Sequence, residues 1–170
     1  FKAPAVNLYH LPDRVPFEIG GLLADAVVTS VHAFKRSNLH VGDTAVVVGC
    51  GGIGLILIQL LTAAGVKAVG VSRREESLRL AREAGASLVV KLGSDTAANE
   101  IKASTDGFGA QCIFDCVGTA QTMRTSADCV MRCGRIVVIG EEHDVPEINT
   151  TEIAQKELEI IGSRNGTRED

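Results

Sequence analysis

VVVGCGGIGLILIQLL, residues 46 to 61, contains a cluster of glycines between two apolar runs. The first run is β-branched, as in strands, and the second has the length and composition of a helix. Gly49, Gly51 and Gly54 have the spacing G-x-G-x-x-G where the strand ends and the helix begins. There, glycines permit a tight turn, close approach of a pyrophosphate, and close helix–strand packing. The loop therefore predicts dinucleotide binding, with a purely structural glycine turn as the alternative.

From Asp43 onward, short β-branched runs alternate with helical periods, which is the pattern of a parallel sheet with crossover helices. We predict an α/β fold of the Rossmann type, with a doubly wound, parallel, six-stranded sheet. The predicted strands span residues 44–49, 67–72, 87–92, 111–117, 134–140 and 158–163. The predicted helices span residues 20–38, 52–64, 75–84, 94–104, 119–131 and 151–157, after an extended, proline-rich first segment.

Composition limits the classes of partner. The 170 residues carry a net charge of −4 with no block of like charges, which argues against nucleic acid or a membrane surface as a partner. Glycines interrupt the longest uncharged apolar stretch, so it does not predict a membrane span. The five cysteines, at positions 50, 112, 116, 129 and 133, form no C-x-x-C pair. We expect reduced, packed thiols in a cytoplasmic protein.

The end of the second predicted strand indicates which dinucleotide is bound. NAD-preferring folds usually carry an acidic residue there, whereas this chain has Ser72, Arg73 and Arg74. Guanidinium groups bind phosphate in a bidentate fork, so the two arginines favour the 2′-phosphate of NADP over NAD. The same residues with Glu75 also read S-x-x-E, a helix capping box, which would explain the serine but not the two cations.

Residues 20 to 87 and the segments FDCVG, GRIVVIG and EIIGSRNGTRED resemble the coenzyme domain of zinc-dependent, medium-chain alcohol dehydrogenases. The G-x-G-G-x-G form of the loop is typical of the zinc branch, and the resemblance covers essentially the whole chain. It implies that Gly52 and Ile53 also belong to the coenzyme site. It also implies loops over the coenzyme after the fourth and fifth strands, formed by the residues Cys116, Val117, Gly118, Ile139 and Gly140. Ordinary strand-end packing is the alternative for these five.

The resemblance also implies a zinc ligand at the start of the first long helix, where this chain has Asp25. Asp25, Thr29 and His32 follow helical spacing, and a carboxylate oxygen is an acceptable zinc ligand. A carboxylate favoured by the helix dipole is the alternative for Asp25. Thr29 matches the family residue that packs beside the nicotinamide, and a core threonine is its alternative. For His32 a packing role is favoured over a role as metal ligand or proton relay.

The sequence therefore predicts the coenzyme domain of an NADP-dependent zinc alcohol dehydrogenase, acting on a small, secondary alcohol or the matching carbonyl compound. A zinc-free enoyl or quinone reductase and a non-enzymatic dinucleotide sensor are the alternatives. We expect residues 1–16 to belong to the catalytic domain or a linker, 17–163 to form the coenzyme domain, and 164–170 to return towards the catalytic domain. The chain begins without Met, so we expect part of a longer polypeptide, which pairs as a homodimer or homotetramer.

Overall fold

The computed structural model describes residues 2–93 and 96–170. The strands are β1 (Thr44–Val48), β2 (Lys67–Ser72), β3 (Leu88–Lys91), β4 (Ala110–Asp115), β5 (Val130–Val138) and β6 (Glu159–Gly162). The helices are α1 (Phe17–Leu22), α2 (Val28–Ser37), α3 (Gly52–Ala63), α4 (Glu75–Glu83), α5 (Ala97–Ala103), α6 (Ala120–Cys129) and α7 (Thr150–Lys156), with a 3-10 turn at Ala5–Asn7. In these described ranges six strands form one parallel sheet in the order β3-β2-β1-β4-β5-β6. The predicted Rossmann-type fold is confirmed.

Strand β1 lies at the centre of the sheet and is buried along its whole length. Val46 pairs with Val69 of β2 on one side and with Ile113 of β4 on the other. A strand buried on both faces needs a continuous β-branched run, which the sequence TAVVV provides. The strand order reverses between β1 and β4, and this switch point opens a crevice beyond the carboxyl ends of the two strands.

Side chains of alternate residues in the central strands pack into two separate hydrophobic cores, one on each face of the sheet. Val47 and Phe114 pack with Leu57 of α3 on one face. Val46 packs with Ile101 of α5, and with α6, on the other. The two-sided packing fixes the position of the crevice relative to α3 and α6.

The chain enters the domain through α1 and α2, which are joined by a π-helical turn at Leu23–Val27. The helical run Phe17–Ser37 is long and apolar enough to cross a membrane by length and composition, with a mean hydropathy of 1.3. It nevertheless packs on α3, and the Ser30 hydroxyl donates to the Ile53 carbonyl oxygen at 3.1 Å. Core helices of soluble proteins meet the same criteria, so this run is weak evidence for a membrane span.

Several predicted boundaries differ from the structure. Helix α4 begins after Arg74, whose side chain makes no capping hydrogen bond, so the predicted capping box at Ser72 is wrong. Strand β5 begins at Val130, inside the predicted helix 119–131, because the chain pairs with β4 through an irregular register there. The first helix begins at Phe17 rather than at residue 20. Residues 94 and 95 of the predicted helix 94–104 lie outside the described residues.

Candidate functional site

The glycine loop between β1 and α3 forms the floor of the crevice. Gly49 has a φ of +95°, which glycine adopts without strain. A Cβ at Gly54 would lie 2.1 Å from the carbonyl oxygen of Gly49, so this glycine is required by helix–strand packing. A Cβ at Gly51 or at Gly52 would have no neighbour within 4 Å. The two middle glycines therefore face open space, which is what close approach of a ligand to the backbone requires.

A pocket of about 540 Å³ opens above this loop. We call it the crevice pocket. Six of the predicted coenzyme residues line it: Gly49, Gly51, Ser72, Arg73, Arg74 and Val117. The remaining lining residues are Cys50, Ser77, Leu92, Thr119, Gln121, Thr122 and Asp144. The predicted coenzyme residues Gly52, Ile53, Gly54, Cys116, Gly118, Ile139 and Gly140 do not line it.

Two exposed arginines stand at one end of the crevice pocket. Within the described ranges, the guanidinium groups of Arg73 and Arg74 have no hydrogen-bond or ion-pair partner. Their neighbour Glu75 instead pairs with Lys91 at 2.7 Å, and this hydrogen bond lowers the pKa of the Glu75 carboxyl. Unpaired cations at the amino end of a helix are unfavourable with the helix dipole, so the arrangement favours an anion from outside the chain.

The loops after β4 and β5 contact each other directly. A Cβ at Gly118 would lie 2.5 Å from the Gly140 carbonyl oxygen, and a Cβ at Gly140 would lie 2.1 Å from the Val117 carbonyl carbon. Both glycines are therefore required by contact between the loops. Cys116 and Ile139 pack in the core on the α3 face of the sheet. These four residues place Val117 at the wall of the crevice pocket.

All five cysteines are free. Burial raises the pKa of the Cys50 thiol to about 11, so it stays protonated in the glycine loop, where it donates weakly to the Val71 carbonyl oxygen. Burial likewise raises the pKa of the Cys112, Cys116 and Cys129 thiols. Cys133 is exposed and donates to Glu157 at 3.2 Å. The prediction of packed thiols is therefore wrong for Cys133.

The predicted metal and nicotinamide residues differ in their surroundings. Asp25 is exposed on the π-helical turn. Thr29 is only 4% exposed, and its hydroxyl is buried without a hydrogen-bond partner among the described residues. His32 Nδ1 lies 2.9 Å from the Asp170 carboxylate. Hydrogen bonds from the Thr167 backbone and the Lys35 ammonium lower the pKa of Asp170, so this carboxyl is ionised. His32 therefore joins α2 to the last residues of the chain.

Comparison with known proteins identifies the family. A family model described as "Zinc-binding dehydrogenase" matches residues 52–170. The chain belongs to this family. It spans about half the length of the curated relatives it matches.

Relatives of the chain are named as dehydrogenases of alcohols. An alcohol dehydrogenase of Geobacillus stearothermophilus is 32% identical, over 99% of this chain and 50% of the relative. An NAD-dependent alcohol dehydrogenase of Sulfurisphaera tokodaii is 31% identical, over 84% of this chain and 42% of the relative. The crystal structure of 2R,3R-butanediol dehydrogenase from Bacillus subtilis superposes with a TM-score of 0.85 at 30% identity, covering 94% of this chain and 46% of that one.

Membership of the zinc-binding dehydrogenases raises the question of a metal site. In the part of the chain that the structure describes, no group of three His, Cys, Asp or Glu side chains is placed to hold a metal ion. A single exposed carboxylate, Asp25, could contribute one ligand, whereas a catalytic zinc needs about three from protein. The described residues therefore do not form a complete metal site.

Sequence reasoning missed part of the crevice pocket. Leu92, Gln121 and Asp144 come from loops and from a helix start that are far from the glycine loop in sequence. Asp144 Oδ2 accepts a hydrogen bond from the Ala120 backbone N–H at 2.7 Å, so a late loop closes one wall of the pocket. Their types carry no periodic signal, and only the switch-point rule could have placed them there.

Proposed function

We propose that this chain is the coenzyme-binding domain of an alcohol or polyol dehydrogenase and that it binds NADP(H). The observation that supports the proposal is the glycine loop, whose Gly51 and Gly52 face open space beside the crevice pocket. The amino terminus of α3 adds unpaired N–H groups and a partial positive charge, which suit a pyrophosphate. The names of the relatives support a small alcohol or carbonyl compound as the substrate of the whole protein.

The choice of NADP(H) depends on the residues after β2. Arg73 and Arg74 are exposed and line the pocket with Ser72, and their guanidinium groups have no partner within the described ranges. A 2′-phosphate would neutralise this charge through charge-assisted hydrogen bonds, each of about 1.5–3 kcal/mol before solvent screening. One relative is named as NAD-dependent, so NAD(H) is the alternative coenzyme.

The residues of this chain would bind, orient and shield the coenzyme. The glycine loop would hold the pyrophosphate, and the loops containing Val117 and Ile139 would support the nicotinamide end. Thr29 would pack beside that ring, with its unpartnered hydroxyl available to a ligand. Bound nicotinamide supplies hydride transfer and bound zinc supplies a Lewis acid for the substrate oxygen. The protein's own contribution is to fix the geometry and to exclude water.

We also propose that Asp25 contributes a zinc ligand and that another part of the protein supplies the rest. Asp25 follows α1, where Phe17 is 87% exposed and Leu22 is 53% exposed. Large apolar side chains exposed together mark a surface that another protein region covers. The proposed division remains residues 1–16 for the catalytic domain or a linker, 17–163 for the coenzyme domain and 164–170 for the return. We place the protein in the cytoplasm.

Coenzyme binding is the direct test of the proposal. We would titrate the chain and its Arg73→Ala variant with NADPH and with NADH, following nicotinamide fluorescence. We expect the chain to prefer NADPH, and the variant to lose about tenfold in NADPH affinity, because one charged hydrogen-bond donor is removed. The affinity for NADH should change by less than about twofold, since that nucleotide lacks the 2′-phosphate.

Arg82→Ala is the matched control, because it removes the same charge from an exposed position on α4 that does not line the crevice pocket. Its NADPH affinity should equal that of the unmodified chain. If the chain prefers NADH and Arg73→Ala has no effect, the proposed coenzyme would be NAD(H) rather than NADP(H). Binding of neither nucleotide would contradict the coenzyme proposal as a whole.

A further inference from the structure

Asp115 is the last residue of β4, and it is fully buried at the switch point of the sheet. Its Oδ1 atom accepts hydrogen bonds from the backbone N–H groups of Val117 and Gly118, both at 2.9 Å. A carboxylate that accepts two backbone N–H bonds fixes the conformation of the turn that follows it. The first turn of the β4–α6 loop is therefore shaped by this one side chain.

The backbone of Asp115 holds the neighbouring loop as well. Its carbonyl oxygen accepts from the N–H groups of Ile139 at 2.8 Å and Gly140 at 3.0 Å. The loops after β4 and β5 meet at Gly118 and Gly140, where neither position has room for a Cβ. A shift of the first loop would consequently move the second, because the two backbones are in direct contact.

Val117 connects the β4–α6 loop to the glycine loop by direct contact. A Cβ at Gly49 would lie 2.7 Å from Val117 Cγ2, so the valine side chain lies directly against the start of the glycine loop. The N–H of Cys116 donates to the carbonyl oxygen of Val48, the last residue of β1. Asp115 thus stands at the junction of three loops, and Val117 is the point where that junction meets the crevice pocket.

The other carboxylate oxygen has no structural use of its own. Asp115 Oδ2 is buried and has no hydrogen-bond partner among the described residues. A buried, unpartnered carboxylate oxygen destabilises a fold, and an apolar residue would suit the interior end of β4 better. Buried polar groups that break this rule are concentrated at functional sites.

We propose that Asp115 is a positioning residue for coenzyme binding, which sets the β4 and β5 loops against the glycine loop through its two Oδ1 hydrogen bonds. The inference rests on the proposed function, because it names the residue that shapes the same site. Asp115 does not line the crevice pocket, so it acts through Val117 and Gly118.

The test compares two substitutions of Asp115 with a matched control in the same strand. Asp115→Asn keeps an oxygen acceptor and removes the charge, whereas Asp115→Leu keeps the approximate size and removes the acceptor. Ile113→Ala is the control, because Ile113 is fully buried in β4, outside the crevice pocket, and its truncation destabilises the core. Each variant would be titrated with NADPH and with NADH well below its melting temperature, and its unfolding would be recorded separately.

We expect Asp115→Leu to lose about tenfold in affinity for whichever nucleotide the unmodified chain binds, since two backbone hydrogen bonds are released. The affinity of Asp115→Asn should stay within about threefold of that of the unmodified chain, because the asparagine side chain keeps an oxygen acceptor. Ile113→Ala should melt at a lower temperature while binding within about twofold of the unmodified chain. If Asp115 acted only on stability, Asp115→Leu would behave like Ile113→Ala, with a lower melting temperature and nearly unchanged nucleotide affinity.

Nucleotide binding by Asp115→Leu equal to that of the unmodified chain would overturn the proposal. An Asp115→Asn variant as weak as Asp115→Leu would also overturn it, because charge rather than the acceptor would then be responsible. If Asp115→Leu does not fold, the asparagine variant decides alone: retained affinity supports the proposal and lost affinity overturns it. Failure of the unmodified chain to bind either nucleotide would instead overturn the proposed function, and the inference with it.

Discussion

At the scale of single residues, Gly51 and Gly54 belong to one motif but are required for different reasons. A methyl group at Gly54 would collide with the Gly49 carbonyl oxygen at 2.1 Å, whereas at Gly51 it would meet nothing within 4 Å. Gly51 has φ −94° and ψ −160°, which are accessible to alanine. The backbone and its neighbours therefore explain Gly54, and an external ligand is what would explain Gly51.

We expect the two alanine variants to separate stability from binding. Gly54→Ala should destabilise the fold by about 1–3 kcal/mol, because α3 must move away from β1. Gly51→Ala should change the free energy of unfolding by no more than about 0.5 kcal/mol, yet weaken NADPH binding by about tenfold as the methyl group occupies the ligand's space. Urea denaturation and nucleotide titration measure the two effects. Unimpaired binding by a folded Gly51→Ala variant would show that the open space beside Gly51 is unused.

The glycine loop and the arginines after β2 could be recognised from the sequence because each set is contiguous, and both contribute to the crevice pocket. Their binding of a coenzyme stays a prediction. The role of Asp115 was not predicted, although the residue is part of FDCVG, one of the segments that carry the family resemblance. Its hydrogen bonds to Val117 and Gly118 are local, but burial and contact with the β5 loop come from tertiary packing. A single acid that ends an apolar strand is a signal that could have identified it.

At the scale of elements, local sequence rules gave the element types well and some of the boundaries poorly. The S-x-x-E pattern at Ser72 predicted a cap that does not form, because β2 continues through Ser72 and α4 begins three residues later, at Glu75. The pattern does form elsewhere with other residues, since Thr119 and Thr122 make a reciprocal capping box at the start of α6. Strand pairing to β4 likewise extended β5 into a predicted helix. Tertiary pairing overrode local preference in the first and last of these cases.

Strand β6 is an edge of the sheet, and it is the element on which we propose self-association. It pairs with β5 on one side, and Ile160 is 37% exposed. An exposed β-branched edge is suited to pairing with a second copy, so that two sheets join. We propose a homodimer, or a tetramer built from such dimers.

Light scattering at micromolar concentration should therefore give the mass of a dimer or tetramer. Ile160→Lys should shift the protein towards monomer, because charged side chains on an edge strand oppose pairing. Val41→Lys is the control, since Val41 is 83% exposed in the loop before β1 and is not part of the β6 edge. A monomeric unmodified protein, or an unchanged mass for Ile160→Lys, would rule out association through β6.

At the scale of the whole molecule, the described residues form the crevice pocket, which we propose for the coenzyme, but no three-ligand metal group. The crevice pocket is assembled from elements on both sides of the switch point, all within this chain. Asp25 in contrast stands exposed beside exposed apolar residues of α1, and the described residues supply no three-ligand group. Family membership does not supply the missing metal ligands, because the chain spans about half the length of its relatives. The contrast between the pocket and the metal ligands therefore remains.

This contrast leads to a prediction about zinc in the full-length protein. If Asp25 is a ligand, Asp25→Ala should lower the bound zinc from about one ion per chain, because a site of about three protein ligands loses one of them. Glu18→Ala is the control, since Glu18 is an exposed carboxylate in the first turn of α1. Zinc would be measured by atomic absorption after dialysis against a chelator, alongside NADPH binding. We expect nucleotide affinity to stay within about twofold in both variants, because the crevice pocket does not include Asp25. Full zinc occupancy in Asp25→Ala would remove this residue from the metal site. Absence of zinc from the unmodified full-length protein would instead favour a zinc-free reductase, and neither outcome would affect the coenzyme proposal.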